Sequence, residues 1–262
     1  MIYVTGDTHG NFERFDKEEV PELYTGTEQK YMIICGDFGG IWDDSYNNLK
    51  KIQALKQLPF TILFIDGNHE NFDLIKVYEK VDYMGGKAHK IADNIYHLMR
   101  GYVFEIEGKR LFCMGGAKSH DIQDGVLDRA NFKDDVTFME TWQKWYFENR
   151  QFRVNHYSWW KEEMPTKAEM ERGLQSLEEV GYKVDYVITH SLPSKVLRAM
   201  GYEDTEDNIT TYFDRLIDKL EFGVWFSGHY HIDGIVASPY LKQADLEVKK
   251  YHFIYEDIVQ LL

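Results

Sequence analysis

The 262-residue chain has little in it that would divide, staple or anchor it. Its five prolines are scattered and no Pro-, Ser- or Gly-rich linker interrupts it, so a single domain over residues 1–262, long enough to bury a sizeable core, is expected. The only two cysteines, Cys35 and Cys113, both lie inside apolar strand-like runs. That excludes a disulfide framework and predicts buried, reduced thiols, with the cytoplasm as the natural compartment. No apolar run approaches the roughly 20 residues that span a bilayer. No basic and then apolar leader precedes the first strand, so neither a membrane partner nor a secretory route is expected, and the acceptor-like Asn208-Ile209-Thr210 is read as accidental. Positive charge is also short. Lys and Arg number 30 against 44 Asp and Glu, a net charge of −14 with no basic stripe to offset it, which argues against nucleic acid as a partner.

What is present is one layout used five times. Tyr31-Met32-Ile33-Ile34-Cys35 is an apolar run of strand length that stops at Gly36 and hands over to Asp37. Ile2-Tyr3-Val4-Thr5-Gly6 delivers Asp7 and His9, and Thr61 to Gly67 delivers Asn68 and His69. Val184 to Thr189 delivers His190, and Val224 to Gly228 delivers His229 and His231. A single Asp or Asn after a strand is ordinary turn chemistry. Five strand ends presenting Asp7, His9, Asp37, Asn68, His190, His229 and His231 suit two first-row metal ions sharing a bridging carboxylate. His229 and His231 flank Tyr230, and strand-like geometry there would put both imidazoles on one face.

The order Asp-x-His, Gly-Asp, Gly-Asn-His-Glu, a lone His and Gly-His-x-His resembles the calcineurin-like metallophosphoesterases from Asp7 to His231. The resemblance implies an α/β fold, a four-layer αββα sandwich of two mixed β-sheets flanked by helices. It implies one metal on Asp7, His9, Asp37 and His231 and a second on Asp37, Asn68, His190 and His229. Nitrogen and oxygen ligands without thiolate suit manganese, iron or zinc. The implied chemistry is direct phosphoester hydrolysis by a hydroxide bridging the two ions, with His69 as the candidate general acid and Glu70 orienting its loop. Two divalent ions against Asp7, Asp37 and a hydroxide leave roughly +1 locally, so a small phosphorylated substrate is attracted despite the acidic average. The protein Ser/Thr phosphatases of this superfamily continue the second motif with an aspartate and an arginine. Gly40, Ile41 and Trp42 stand there instead, which points to the phosphodiesterase and small-molecule phosphatase branches.

The stretches between motifs predict the rest. Phe12 to Tyr24 reads as a helix or an irregular helical segment ending near Pro21, and Asp43 or Asp44 would cap a helix carrying Leu49, Ile52 and Leu55. Val103 to Met114 alternates about Gly108-Lys109 as a hairpin that would begin the second sheet. Thr166-Lys167-Ala168-Glu169 is a capping box opening a helix closed by Gly181. Ser194 to Met200 is a short helix. Ile209, Tyr212, Phe213, Leu216, Ile217 and Leu220 form a core stripe. Ile232 through Val259 reads as strands completing the second sheet. Ala117 to Pro165 is an excursion holding four of six tryptophans, whose rings either pack it onto the sandwich or make it a substrate-facing lid or aromatic platform for a base, a specificity element with Lys118, Arg129, Arg150 and Arg153 available for phosphate. His89, His97, His120, His156 and His252 match no motif and are read as surface or structural, with His120 and His156 placed to enter the site from the excursion. The rivals are a nuclease or protein phosphatase of this fold, or a non-catalytic scaffold, the last opposed by the complete ligand set.

Overall fold

A computed structural model of the chain describes residues 1–203, 205–236, 241 and 251–262. The first three strands, β1 (Ile2–Thr5), β2 (Tyr31–Ile34) and β3 (Thr61–Phe64), are buried along their whole length. Strands covered on both faces need apolar residues at every position, which is why they read as unbroken runs. They pair in parallel, Ile2 opposite Tyr31 and Tyr31 opposite Thr61. The β1–β2 connection carries only 3₁₀ turns at Glu13–Phe15 and Pro21–Tyr24. The β2–β3 connection carries α1 (Tyr46–Leu55). Its cap is Ser45, not Asp43 or Asp44: Ser45 Oγ accepts the Asn48 N–H, and Asp43 Oδ1 accepts the Ser45 N–H one step outside. Ile52 and Leu55 face the core, but Leu49 is exposed.

After the single turn α2 (Phe72–Ile75), strands β4 (Glu79–Tyr83), β5 (Gly86–Ala92) and β6 (Ile95–Leu98) extend the first sheet, β6 parallel to β3 and the others antiparallel. The predicted hairpin forms as β7 (Tyr102–Ile106) and β8 (Lys109–Met114) and starts the second sheet. Within the excursion, β9 (Gly125–Leu127) and β10 (Phe152–Val154) make a separate two-stranded parallel sheet bracketing α3 (Asp135–Phe147). No residue of α3 is buried. Of the four excursion tryptophans only Trp160 is, meeting Trp42 edge to face at 5.7 Å.

The capping box opens α4 (Lys167–Glu179) as expected, with Thr166 and Glu169 satisfying each other's backbone N–H groups. Then follow β11 (Tyr186–Thr189), α5 (Ser194–Ala199), α6 (Asn208–Ile217) and β12 (Val224–Ser227). The tail divides between the sheets, correcting the expectation that it completes the second. β13 (Gly234–Ile235) and β14 (Tyr251–Phe253) join the second sheet, whereas β15 (Ile258–Gln260) runs antiparallel to β1 in the first. Positions 237–240 and 242–250 of that stretch lie outside the described residues. The orders are β15-β1-β2-β3-β6-β5-β4 and β13-β14-β12-β11-β8-β7.

Alternate residues of each strand divide the core. Ile33, Cys35 and Leu63 meet Leu111, Cys113, Ile188 and Phe226 between the sheets. Met32, Ile34 and Phe64 pack outward on Phe15, Leu23, Ile52 and Leu55. Phe112, Val187 and Trp225 pack outward on Leu177 of α4 and on Ile209, Tyr212, Phe213 and Leu216 of α6. This is the four-layer αββα arrangement. Both cysteines are free and buried. Among the described residues no helix is long and apolar enough to cross a membrane.

Candidate metal centre

Five parallel strands, three in one sheet and two in the other, end on the same side and release their polar residues into one crevice, where open α/β sheets collect ligands. The crevice is too crowded for side chains on the handover residues. A Cβ on Gly36 would strike the His190 ring, one on Gly67 the Asp37 carboxylate, and one on Gly228 the Asp7 carboxylate. The first loop hangs from the second through backbone bonds, with Thr8 N and His9 N donating to Asp37 O at 3.1 and 2.8 Å. His9, Asp37, His229 and His231 all adopt left-handed backbone, with φ of 45, 49, 73 and 50°. The last two therefore do not lie on a strand, as the alternation suggested. A loop aims them separately.

All seven expected ligands converge. His231 Nε2 lies 3.2 Å from Asp7 Oδ2 and 3.1 Å from His9 Nε2. His9 Nε2 is 3.8 Å from both Asp7 Oδ2 and Asp37 Oδ2. On the other side His190 Nε2 is 3.4 Å from Asp37 Oδ1 and 3.2 Å from Asn68 Oδ1. The His190 and His229 rings lie 5.0 Å apart, and His229 N–H donates to Asp7 Oδ1 at 3.0 Å. Donor atoms of Asp7, His9 and His231 fall within 4.8 Å of one another, as do those of Asp7, Asp37 and His190.

The electrostatics call for positive charge. Asp7, Asp37 and His190 are buried. Burial opposes charge on Asp37 and His190, yet their mutual attraction wins. Asp37 is held far below the usual carboxylate range, and His190, facing Asp37 and Asp7, is pushed well above the usual imidazole range. Two buried carboxylates that draw a proton onto a buried imidazole form a site suited to cations, and the N/O donors suit divalent first-row ions. His229 is driven the opposite way by burial and by His190, which favours its neutral ring.

His69 stands beside this cluster, its ring 5.7 Å from His9 and its backbone N–H donating to Asp37 Oδ1 at 2.7 Å. Burial lowers its pKa, and Asp37 opposes that. Glu70 is wholly buried. Its Oε1 accepts the Phe38 N–H at 2.7 Å, and burial raises its pKa well above the carboxylate range, fitting a group that ties two loops together. Behind the third loop Asp66 accepts from Arg100 Nε at 2.7 Å and from His97 Nε2 at 3.0 Å, and His97 Nδ1 meets His89 Nδ1 at 3.0 Å. Burial works against the Asp66 charge, but Arg100 and His97 outweigh it and bring the pKa to about 2.

One histidine without a motif, read as surface or structural with the option of entering from the excursion, does enter the site. His120 Nε2 lies 2.9 Å from His229 Nε2 and belongs to the cluster. Only its position in the excursion hinted at this. His156 bonds Asp73 instead, while Arg129 pairs with Asp135 and Arg150 with Glu148. Arg153 is paired as well, its Nε and Nη2 donating to Asp121. Lys118 borders one of two cavities flanking the centre and Arg153 borders the other. The first, of about 810 Å³, is bordered by Lys118, His120, Tyr202, His229 and Tyr230. The second, of about 590 Å³, is bordered by His9, Trp42, Lys51, His69 and Arg153. The chain matches the calcineurin-like phosphoesterase family over residues 1–233. No curated protein matches it.

Proposed function

We infer, for a chain that belongs to the calcineurin-like phosphoesterases and is thereby a metal-dependent phosphoester hydrolase, that its centre holds two divalent ions and takes a small phosphorylated metabolite or nucleotide. The observation carrying this reading is the convergence of seven residues with N and O donors, two of them buried carboxylates that already attract positive charge. Asp7, His9, Asp37 and His231 would hold one ion, and Asp37, Asn68, His190 and His229 the other, with Asp37 shared. When bound, such ions acidify a water into a nucleophile at neutral pH and neutralise charge on the phosphoryl oxygens.

The remaining steps fall to the chain's own groups. His69, on the wall of the second cavity, is the candidate donor of a proton to the leaving oxygen. Burial favours its neutral form, so the negative charge of a bound phosphoryl group would help to draw the proton onto it. Arg153 borders the same cavity, its guanidinium held there by Asp121, whereas the second motif has Ile41 in place of the arginine of the protein phosphatases. Two bounded cavities beside the centre, in a chain of net charge −14, favour a small substrate over a polymer. The test is a panel of phosphomonoester, phosphodiester and nucleotide substrates with manganese, iron or zinc. Turnover of small esters with the expected metals supports the reading. Turnover confined to polynucleotide or phosphoprotein overturns it.

A further inference from the structure

An asparagine amide can ligate a cation only through its oxygen, because the nitrogen carries two hydrogens and has no free lone pair. The two ends of the Asn68 side chain are nearly the same size, so packing alone does not choose between them. Hydrogen bonding does. Asn68 Nδ2 lies 3.3 Å from Ser119 Oγ, and Asn68 Oδ1 faces His190 Nε2 at 3.2 Å. Ser119 Oγ bonds Glu163 Oε2 at 2.5 Å, and Ser119 N–H bonds Glu163 Oε1 at 3.2 Å. Both oxygens of Glu163 thus accept, and the single hydroxyl proton of Ser119 is committed to one of them. The Ser119 oxygen has only lone pairs left to offer Asn68, so the amide must turn its NH₂ towards it. The reversed amide would set its oxygen against those lone pairs and its NH₂ against His190. Asn68, Ser119 and Glu163 are 3, 3 and 2% exposed, so bulk water cannot take over the missing bonds.

We propose that Ser119 and Glu163 are positioning residues that hold the Asn68 amide with its oxygen towards the second ion. The inference rests on Asn68 being a ligand of that ion, as argued above. Ser119 follows β8 and Glu163 precedes α4, so they lie near the two roots of the 117–165 excursion. That segment is thereby wired to the metal centre by a three-member chain, separately from the cavity walls it supplies. Interactions of this kind behind metal ligands are worth about 10–100-fold in metal affinity.

The test uses an internal control that packing cannot mimic. Aspartate at position 68 presents two equivalent oxygens and needs no orienting partner. Manganese titration of the metal-free full chain by calorimetry should show Ser119→Ala and Glu163→Gln weakening one of two binding events by about 10–100-fold. On an Asn68→Asp background the same substitutions should leave affinity within a factor of about two. Equal losses on both backgrounds would mean that Ser119 and Glu163 merely support the fold, and the inference would fail. If Asn68→Ala loses one ion while Ser119→Ala keeps both at full affinity, the inference fails but the ligand assignment stands. If Asn68→Ala binds both ions as the unsubstituted chain does, the ligand assignment fails as well.

Discussion

Mild acid should weaken the metal-free fold through His89, and the hydrogen-bond chain behind the third metal loop fixes both the sign and the size. Ionised Asp66 has no proton to give, so His97 Nε2 must donate to it, leaving His97 Nδ1 as a lone pair. His89 Nδ1 must therefore donate to His97, and neutral His89 has a bare, buried Nε2 with no hydrogen-bond partner. A proton arriving there would bury a charge with nothing opposite it. Burial chiefly, with Lys80 adding to it and Asp66 opposing it, accordingly holds the His89 pKa down to about 4. In the unfolded chain it returns to roughly 6.5. Because the folded value is the lower one, the unfolded chain takes up the proton first as pH falls. The contribution is complete above pH 6.5 and is lost on the way down to about 4. Moving from pH 7.5 to pH 5 should therefore cost about 2 kcal/mol, or roughly 4 °C in melting temperature for a chain of this length. Asp66 adds almost nothing between pH 7.5 and pH 5, since both its folded pKa of about 2 and the unfolded carboxyl value of roughly 3.9 lie below that range. The assay is urea unfolding at both pH values, in chelator, for the natural chain and for His89→Asn, whose amide can still donate to His97. Other histidines held neutral by burial titrate in both proteins and cancel. The natural chain should lose about 2 kcal/mol more than the variant. Equal losses would refute the proton assignment along the chain.

Three further outcomes test the centre. Elemental analysis and titration should find two transition-metal ions per chain, and a single site at saturating manganese would rule out the paired arrangement. Asp37→Asn keeps the shape but removes the charge placed to serve both ions, so turnover should fall by orders of magnitude in a variant whose circular dichroism is unchanged. Near-normal activity in that variant would refute the site. His69→Asn should keep both ions and slow alkyl phosphoesters by about 10²–10⁴-fold, while nitrophenyl esters, whose leaving groups need no proton, suffer least. A uniform loss across leaving groups, restored by added metal, would make His69 a support of the cage.

The seven converging side chains were legible because their geometry is local. A buried strand must be apolar throughout, so the residue at which the run breaks marks where the backbone leaves the sheet, and Asp7, Asp37, Asn68, His190 and His229 all stand there. The hairpin, the α4 capping box and the α6 stripe are short-range patterns of the same kind. What failed depended on distant partners. Three residues such as Ile258–Gln260 fit the edge of either sheet, and only the free edge of β1 decides between them. Ser45 displaced two nearby aspartates as cap because the chain enters α1 in a turn that uses Asp43 for the Ser45 N–H. His120 had no spacing to any motif, and the partnership of Ser119 with Glu163 joins positions 44 residues apart with nothing periodic between them.

The left-handed backbone at His9, Asp37, His229 and His231 sets conservation of the centre against conservation of the fold. A residue with a Cβ gives up about 1–2 kcal/mol in that conformation and glycine does not. Glycine at any of these four positions would relieve backbone strain while deleting a donor, so the change would recover that part of the stability and end the chemistry. Under selection for turnover, the histidines and the aspartate persist against a steady mutational pull. Released from that selection, a lineage should drift towards glycine at these positions before its core changes. Glycines in place of the four, within an otherwise intact sandwich, would mark a descendant that had kept the architecture and abandoned the reaction.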